Sequence, residues 1–131
     1  MKHFISSICV FFLLNVSVSF GQILKEIDSY TILQKGIQFH DDKTYAQAIT
    51  EFKKINKNDT NFVIAALELA NSYVANKQDS LAVVVCDQVL SMNTGYEPNA
   101  LLHKANALDN MGKSDEAVKV YEEAIRRFPL N

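Results

Sequence analysis

Glycine and proline are scarce, with four and two in 131 residues. Together with 48% hydrophobic content and the lack of any low-complexity tract, this excludes a disordered linker and indicates one small folded unit. Charge of a single sign is lacking too. The formal net charge is −2 and lysine and arginine nowhere cluster, so neither a nucleic-acid partner nor an anionic-membrane surface is expected. The sequence contains no glycine-rich phosphate loop, no Gly-x-Ser-x-Gly elbow and no Cys and His pairing. His40 and His103 lie far apart, without a Cys or His at metal-ligand spacing. Asp41-Asp42 and Glu122-Glu123 are adjacent pairs whose side chains diverge, which suits solvated charges better than an acid and base. The expectation is a protein that is not an enzyme and has no cofactor or metal. The alternative from another class is a metal-dependent enzyme using His40 and His103.

Charge is also absent from Phe4 to Phe20, a largely apolar run preceded by Met1-Lys2-His3. This pattern reads as a secretory signal, with Ser19-Phe20-Gly21 supplying small residues at the cut and Gln22 as the new first residue. An uncleaved anchor is the competing reading, but 17 uncharged residues are at the short limit for a bilayer, and Ser6, Ser7, Asn15, Ser17 and Ser19 weaken it further. Residues 1–21 are therefore expected to be a signal peptide and residues 22–131 the folded domain. Delivery would be across the inner membrane to the periplasm or cell envelope, with no membrane insertion after cleavage. Cys9 leaves with the leader. Cys86 then has no internal disulfide partner, and stability must come from helix packing.

Apolar residues in the remainder recur at helical spacing. From Leu101 to Met111 a small or large apolar residue returns every three or four places, and Gly112 stops the pattern where a left-handed residue is wanted. A second series runs from Ala117 through Val118, Tyr121, Ala124, Ile125 and Phe128, and Pro129 closes it. Small Ala48, Ala82 and Ala117 are spaced 34 and 35 residues apart, as are Gly36, Ala70 and Ala105. Large Phe39, Tyr73 and Leu108 follow three residues after the second set. Phe52, Cys86 and Tyr121 align, as do Ile55, Val89 and Ala124, so Cys86 is expected in the core. The register also overrides the strand propensity of Val83-Val84-Val85. Helices are expected over about 22–41, 45–56, 61–75 and 80–92, followed by the pair within 98–131. Thr44 and Gln47 suggest a capping box, and Pro98 a first helical position.

Ala105, Leu108, Gly112, the Asp115-Glu116-Ala117-Val118 run, Tyr121, Ala124 and Pro129 resemble a tetratricopeptide repeat (TPR). Weaker copies precede it, giving repeats at about 29–62, 63–97 and 98–131. The opening aromatic of the family pattern is replaced by Ile32, Ala66 and Leu101, the leucine three residues later by Lys35 and Lys104 in two copies, and the closing proline by Thr60 and Thr94. The resemblance implies an all-α superhelix of six antiparallel helices, with the first helix of each repeat lining a concave face. It implies a protein-binding scaffold or adaptor, here one of the exported bacterial type, taking a peptide or partner helix. A periplasmic assembly factor holding unfolded segments is the alternative.

By register, the groove of such a scaffold would be lined by Tyr30, Leu33, Gln34, Ile37 and His40, by Ile64, Leu67, Glu68, Asn71 and Val74, and by Asn99, Leu102, His103, Asn106 and Asp109. Leu33, Leu67 and Leu102 divide between groove and core. Asn71 and Asn106 would bond a ligand backbone. The Lys, Asn and Arg that capture a C-terminal carboxylate in chaperone-binding members are replaced by Leu33, Ile37, Glu68, Asn99 and His103, which argues against such a clamp. With Pro129 close to the last residue, Tyr121, Ile125 and Phe128 are expected to form an exposed C-terminal edge, occupied by the same edge in a homodimer or by another envelope protein.

If the leader is removed as expected, intact-mass analysis of the protein recovered from the envelope fraction will give a chain beginning at Gln22. A mass retaining Met1 in a membrane pellet would establish the anchor reading instead.

Overall fold

A computed structural model describes residue 21 and residues 28–129; residues 1–20 of the expected signal peptide, residues 22–27 of the expected first helix and residues 130–131 lie outside the described residues. Among the described residues six helices follow one another. Helical residues 28–41 (α1) and α2 (Tyr45–Phe52) form the first pair, α3 (Phe62–Ala75) and α4 (Asp79–Leu90) the second, and α5 (Glu97–Asn110) and α6 (Ser114–Arg127) the third. Each of α2 to α6 packs against the next, and α3 also touches α5, so the odd-numbered helices form one layer and the even-numbered helices the other. No strand occurs among the described residues. Val83, Val84 and Val85 lie within α4, as the register requires.

Small residues set the helix spacing. Ala48, Ala70, Ala82 and Ala105 are fully buried and Ala117 is nearly so. Gly36 takes the same place in α1, where a Cβ would stand 2.4 Å from the Phe52 ring. Phe52, itself buried, anchors one apolar cluster with Leu33, Ala48, Ile55 and Ala65. A second cluster joins Ala66, Leu67, Ala70, Tyr73, Ala82, Cys86, Val89, Ala100 and Ala107. Cys86 is a core thiol. Burial, with Asp87 beside it, pushes the thiol up to about 12 against the opposing effect of Lys104.

The turn inside each repeat is one device used three times. The amide of Lys43 bonds the His40 carbonyl and that of Thr44 the Phe39 carbonyl; Lys77 and Gln78 do the same to Val74 and Tyr73, and Gly112 and Lys113 to Asp109 and Leu108. Lys43, Lys77 and Gly112 have φ of 60°, 61° and 76°. This is a Schellman termination with a left-handed residue just past the helix. The expected Thr44 and Gln47 capping box is absent. Thr44 occupies the second position of the turn, and its hydroxyl donates back to the Phe39 carbonyl rather than accepting from the new helix.

Among the boundaries that differ from expectation, two have clear local reasons. α2 ends at Phe52 because Lys54 and Ile55 switch to bonds three residues back, a tightening that keeps Ile55 buried; Asn56 and Asp59 side chains then hold the loop amides. α5 begins at Glu97, one residue before Pro98. Glu97 is buried, and its carboxylate accepts from the Gly95 amide at 3.2 Å. Its own amide and those of Gly95 and Thr94, with the charge of Arg127, hold it below the usual carboxylate range against partial desolvation. Lys35 and Lys104, which stand where the family pattern has leucine, both find carboxylates: Lys35 reaches Glu51 at 3.1 Å and Lys104 reaches Asp87 at 2.6 Å.

Gly36→Ala should destabilise the fold by roughly 1–3 kcal/mol, the usual range for overpacking, because the buried Phe52 ring cannot swing into solvent. Urea unfolding measures it. Phe52→Leu in the same chain should recover part of the loss, and equal losses with and without the second change would show that the ring is not what Gly36 accommodates.

Candidate functional site

The inner layer brings α1, α3 and α5 side by side, and the expected groove residues divide into three groups. Leu33 and Leu67 belong to the core, at 3% and 7% exposure, since both turn toward the second helix layer. Tyr30, Gln34, Ile64, Asn99, Leu102 and Asn106 are exposed, Tyr30 and Leu102 at 56% and 50%. Ile37, His40, Glu68, Asn71, Val74 and His103 are half-buried, while Asp109 is exposed and accepts from the Ser114 hydroxyl.

His40 is the junction between the first two repeats. Its Nδ1 lies 2.8 Å from Ser72 Oγ and its Nε2 3.3 Å from Asn71 Nδ2, while Tyr45 packs a tilted ring at 5.1 Å. The Asn71 amide donates to Nε2, so the ring proton sits on Nδ1 and is donated to Ser72, which is fully buried. Ser72 gave no signal in the sequence beyond being a polar residue inside an apolar helix. Below this junction, Asn61 donates to Ser29, again linking α3 to α1.

Glu68 faces the same surface from α3. Desolvation raises its carboxyl above the usual range; His40 opposes the shift and Asp41 adds to it. Burial likewise holds the His103 imidazole below its ordinary range. His40 and His103 are not brought together into a ligand set, and among the described residues no three His, Cys, Asp or Glu side chains are placed to hold a metal ion.

Asn71 and Asn106, both expected to meet a ligand, each have one end engaged. Asn71 uses its amide nitrogen on His40, and Asn106 accepts the Tyr121 hydroxyl with its carbonyl oxygen. Asn71 Oδ1, an acceptor, and Asn106 Nδ2, a donor, make no hydrogen bond among the described residues. The Tyr121 bond also corrects the expected C-terminal edge, because it draws this ring toward α5 and leaves it half-buried, as Phe128 is. Ile125, at 70% exposure, is the open member of that row.

The Tetratricopeptide repeat family model (TPR_6) matches residues 99–131. The fold is that of a tetratricopeptide repeat array, and the family model matches the sequence of its last repeat. A similar solved structure is the first TPR of Spaghetti (RPAP3) bound to the HSP90 peptide SRMEEVD. It superposes with a TM-score of 0.70 at 23% identity, over 81% of this chain and 83% of that one. No curated protein matches the sequence at a significant level. Seen as a TPR array, the chain places His40, Asn71 and Ser72 at the joint between repeats one and two, and Asn106 and Tyr121 inside repeat three.

Glu68 gives a measurable signature. A carboxyl whose folded pKa is raised binds its proton more tightly in the fold than in the unfolded chain, so its contribution to stability falls as pH rises through that range. Glu68→Gln should therefore melt above the parent at neutral pH, with the gap closing near about pH 3, where both states of the parent carry a protonated Glu68. A gap independent of pH would mean that the substitution acts through packing rather than charge.

Proposed function

We propose that this TPR protein is a non-enzymatic interaction module of the bacterial cell envelope, holding an extended peptide along its concave face. The observation that carries this reading is the pair of open amide ends, Asn71 Oδ1 and Asn106 Nδ2, fixed by His40 and Tyr121 amid exposed Tyr30, Ile64 and Leu102. An extended peptide presents a backbone N–H and C=O that match an acceptor and a donor, and its side chains fall on the apolar residues between them. Because the asparagines are already held in place, little rotamer entropy is lost on binding.

The ligand is not of the acidic kind carried by the structural relative. SRMEEVD bears three carboxylate side chains, whereas Glu68 and Asp41 face the corresponding surface here without a compensating Lys or Arg among the expected groove positions. Like charges across a half-desolvated groove oppose binding, and a neutral or lysine-bearing apolar peptide fits. Envelope delivery rests on the uncharged Phe4 to Phe20 run and the small residues before Gln22.

Calorimetry against defined heptapeptides tests the groove. Apolar peptides carrying one lysine should bind and SRMEEVD should not; Asn71→Ala with Asn106→Ala should weaken binding about tenfold, the equivalent of two backbone hydrogen bonds, at unchanged helicity. Glu68→Lys should reverse the charge preference. Peptide affinity that is indifferent to all three changes would move the site off the concave face.

A further inference from the structure

α6 is divided sharply between two sides. Ala117, Val120, Tyr121 and Ala124 turn toward α5, while Asp115, Val118, Lys119, Glu122, Ile125 and Arg126 are all exposed on the other. Val118 and Ile125 reach 52% and 70% exposure. A shift of 35 residues maps Val118, Glu122 and Ile125 onto Val83, Asp87 and Leu90 of α4. In α4 these side chains receive a neighbouring helix: Val83 and Leu90 are half-buried against the core, and Asp87 pairs with Lys104 of α5. The outward face of α6 is therefore the same docking set, continuing the packing between α4 and α5 onto open surface.

We propose that this face is the contact between two copies of the chain, formed by α6 against α6 about a two-fold axis. The charges select the occupant. Glu116 and Glu123 are answered within α6 and its cap by Lys113 and Arg127, whereas Asp115, Lys119, Glu122 and Arg126 have no ion-pair partner among the described residues. Along the helix these four read minus, plus, minus, plus. When the helix is laid antiparallel on itself, Asp115 meets Arg126 of the second copy and Lys119 meets Glu122. Both pairings are centred between Val120 and Tyr121, so one axis satisfies all of them. Val118 and Ile125 are centred one residue further on and interleave across the axis.

Other alignments are disfavoured. A slip by one turn in one direction sets Lys119 opposite Arg126, and in the other direction Asp115 opposite Glu122, while a parallel pair places every charge against its own kind. A single helix pair buries on the order of 1,000 Å2, less than the ~1,600 Å2 of a tight complex, so the dimer is a reversible one in the micromolar range. This surface lies on the layer away from the peptide groove, and its test does not depend on that reading.

Sedimentation equilibrium across about two decades of concentration spanning the micromolar range should show a monomer–dimer equilibrium. Lys119→Glu alone and Glu122→Lys alone each put like charges across the axis and should weaken association at least about tenfold, with helicity unchanged. The two together restore opposite charges and should restore association. A parent chain that stays monomeric throughout, a double variant as weak as the singles, or an Ile125→Asp chain that dimerises as well as the parent would each overturn the proposal.

Discussion

The contact on which the fold depends is the close approach of paired helices where one side has almost no side chain. Gly36 against the Phe52 ring is its most extreme form, and the buried alanines at 48, 70, 82, 105 and 117 repeat it along the array. Two helix backbones can lie this near only if nothing stands between them. The gain is dispersion contact over the whole helix length, and the large residue three places after each small one of the first helices then falls at the turn. Burial of Cys86 follows from the same spacing, since its neighbours in register, Phe52 and Tyr121, lie on the same side of their helices.

Polar side chains do a different job, which is to fix one repeat against the next. His40 with Ser72 and Asn71, Lys104 with Asp87 and Asn110 with Asp79 all cross between repeats, and Asn61 with Ser29 ties the start of α3 to α1. Most are partly exposed, so individually they contribute little; an ion pair such as Lys104 with Asp87 adds roughly 0–1 kcal/mol. Their effect is on geometry. Apolar layers of alanine and valine could slide, and directional bonds at the joints select one superhelical pitch, which in turn sets the distance between Asn71 and Asn106 along the groove. Lys35 and Lys104, substitutions for a packing leucine in the family pattern, exchange burial for this kind of directional link.

Helix number, order and core rows were legible in the sequence because the 34 to 35 residue period places small and large residues consistently. The site was legible only as a list of faces. Leu33 and Leu67 satisfy the groove register as well as the core register, and only the neighbouring layer decides that they are buried. The His40 junction was not legible, since Ser72, Asn71 and His40 meet across about thirty residues with no spacing rule to join them. The left-handed lysines were hidden for a different reason. Gly112 announces its conformation, whereas Lys43 and Lys77 adopt it against their own steric preference because the flanking helices leave no other path.

The repeated Schellman turn also determines where this array can change length. Between the small residue of the first helix and that of the second, all three repeats have the same count: Gly36 to Ala48, Ala70 to Ala82 and Ala105 to Ala117 are each twelve places apart. From Ala48 to Ala70 the count is 22, but from Ala82 to Ala105 it is 23. The extra residue falls in the segment that includes left-handed Asn93 and Gly95, outside the hydrogen-bonded lock. An insertion within the lock would rotate the following helix by about 100° and turn its buried face outward. The connectors between repeats are the slack in this chain, and the one difference in repeat length falls within them.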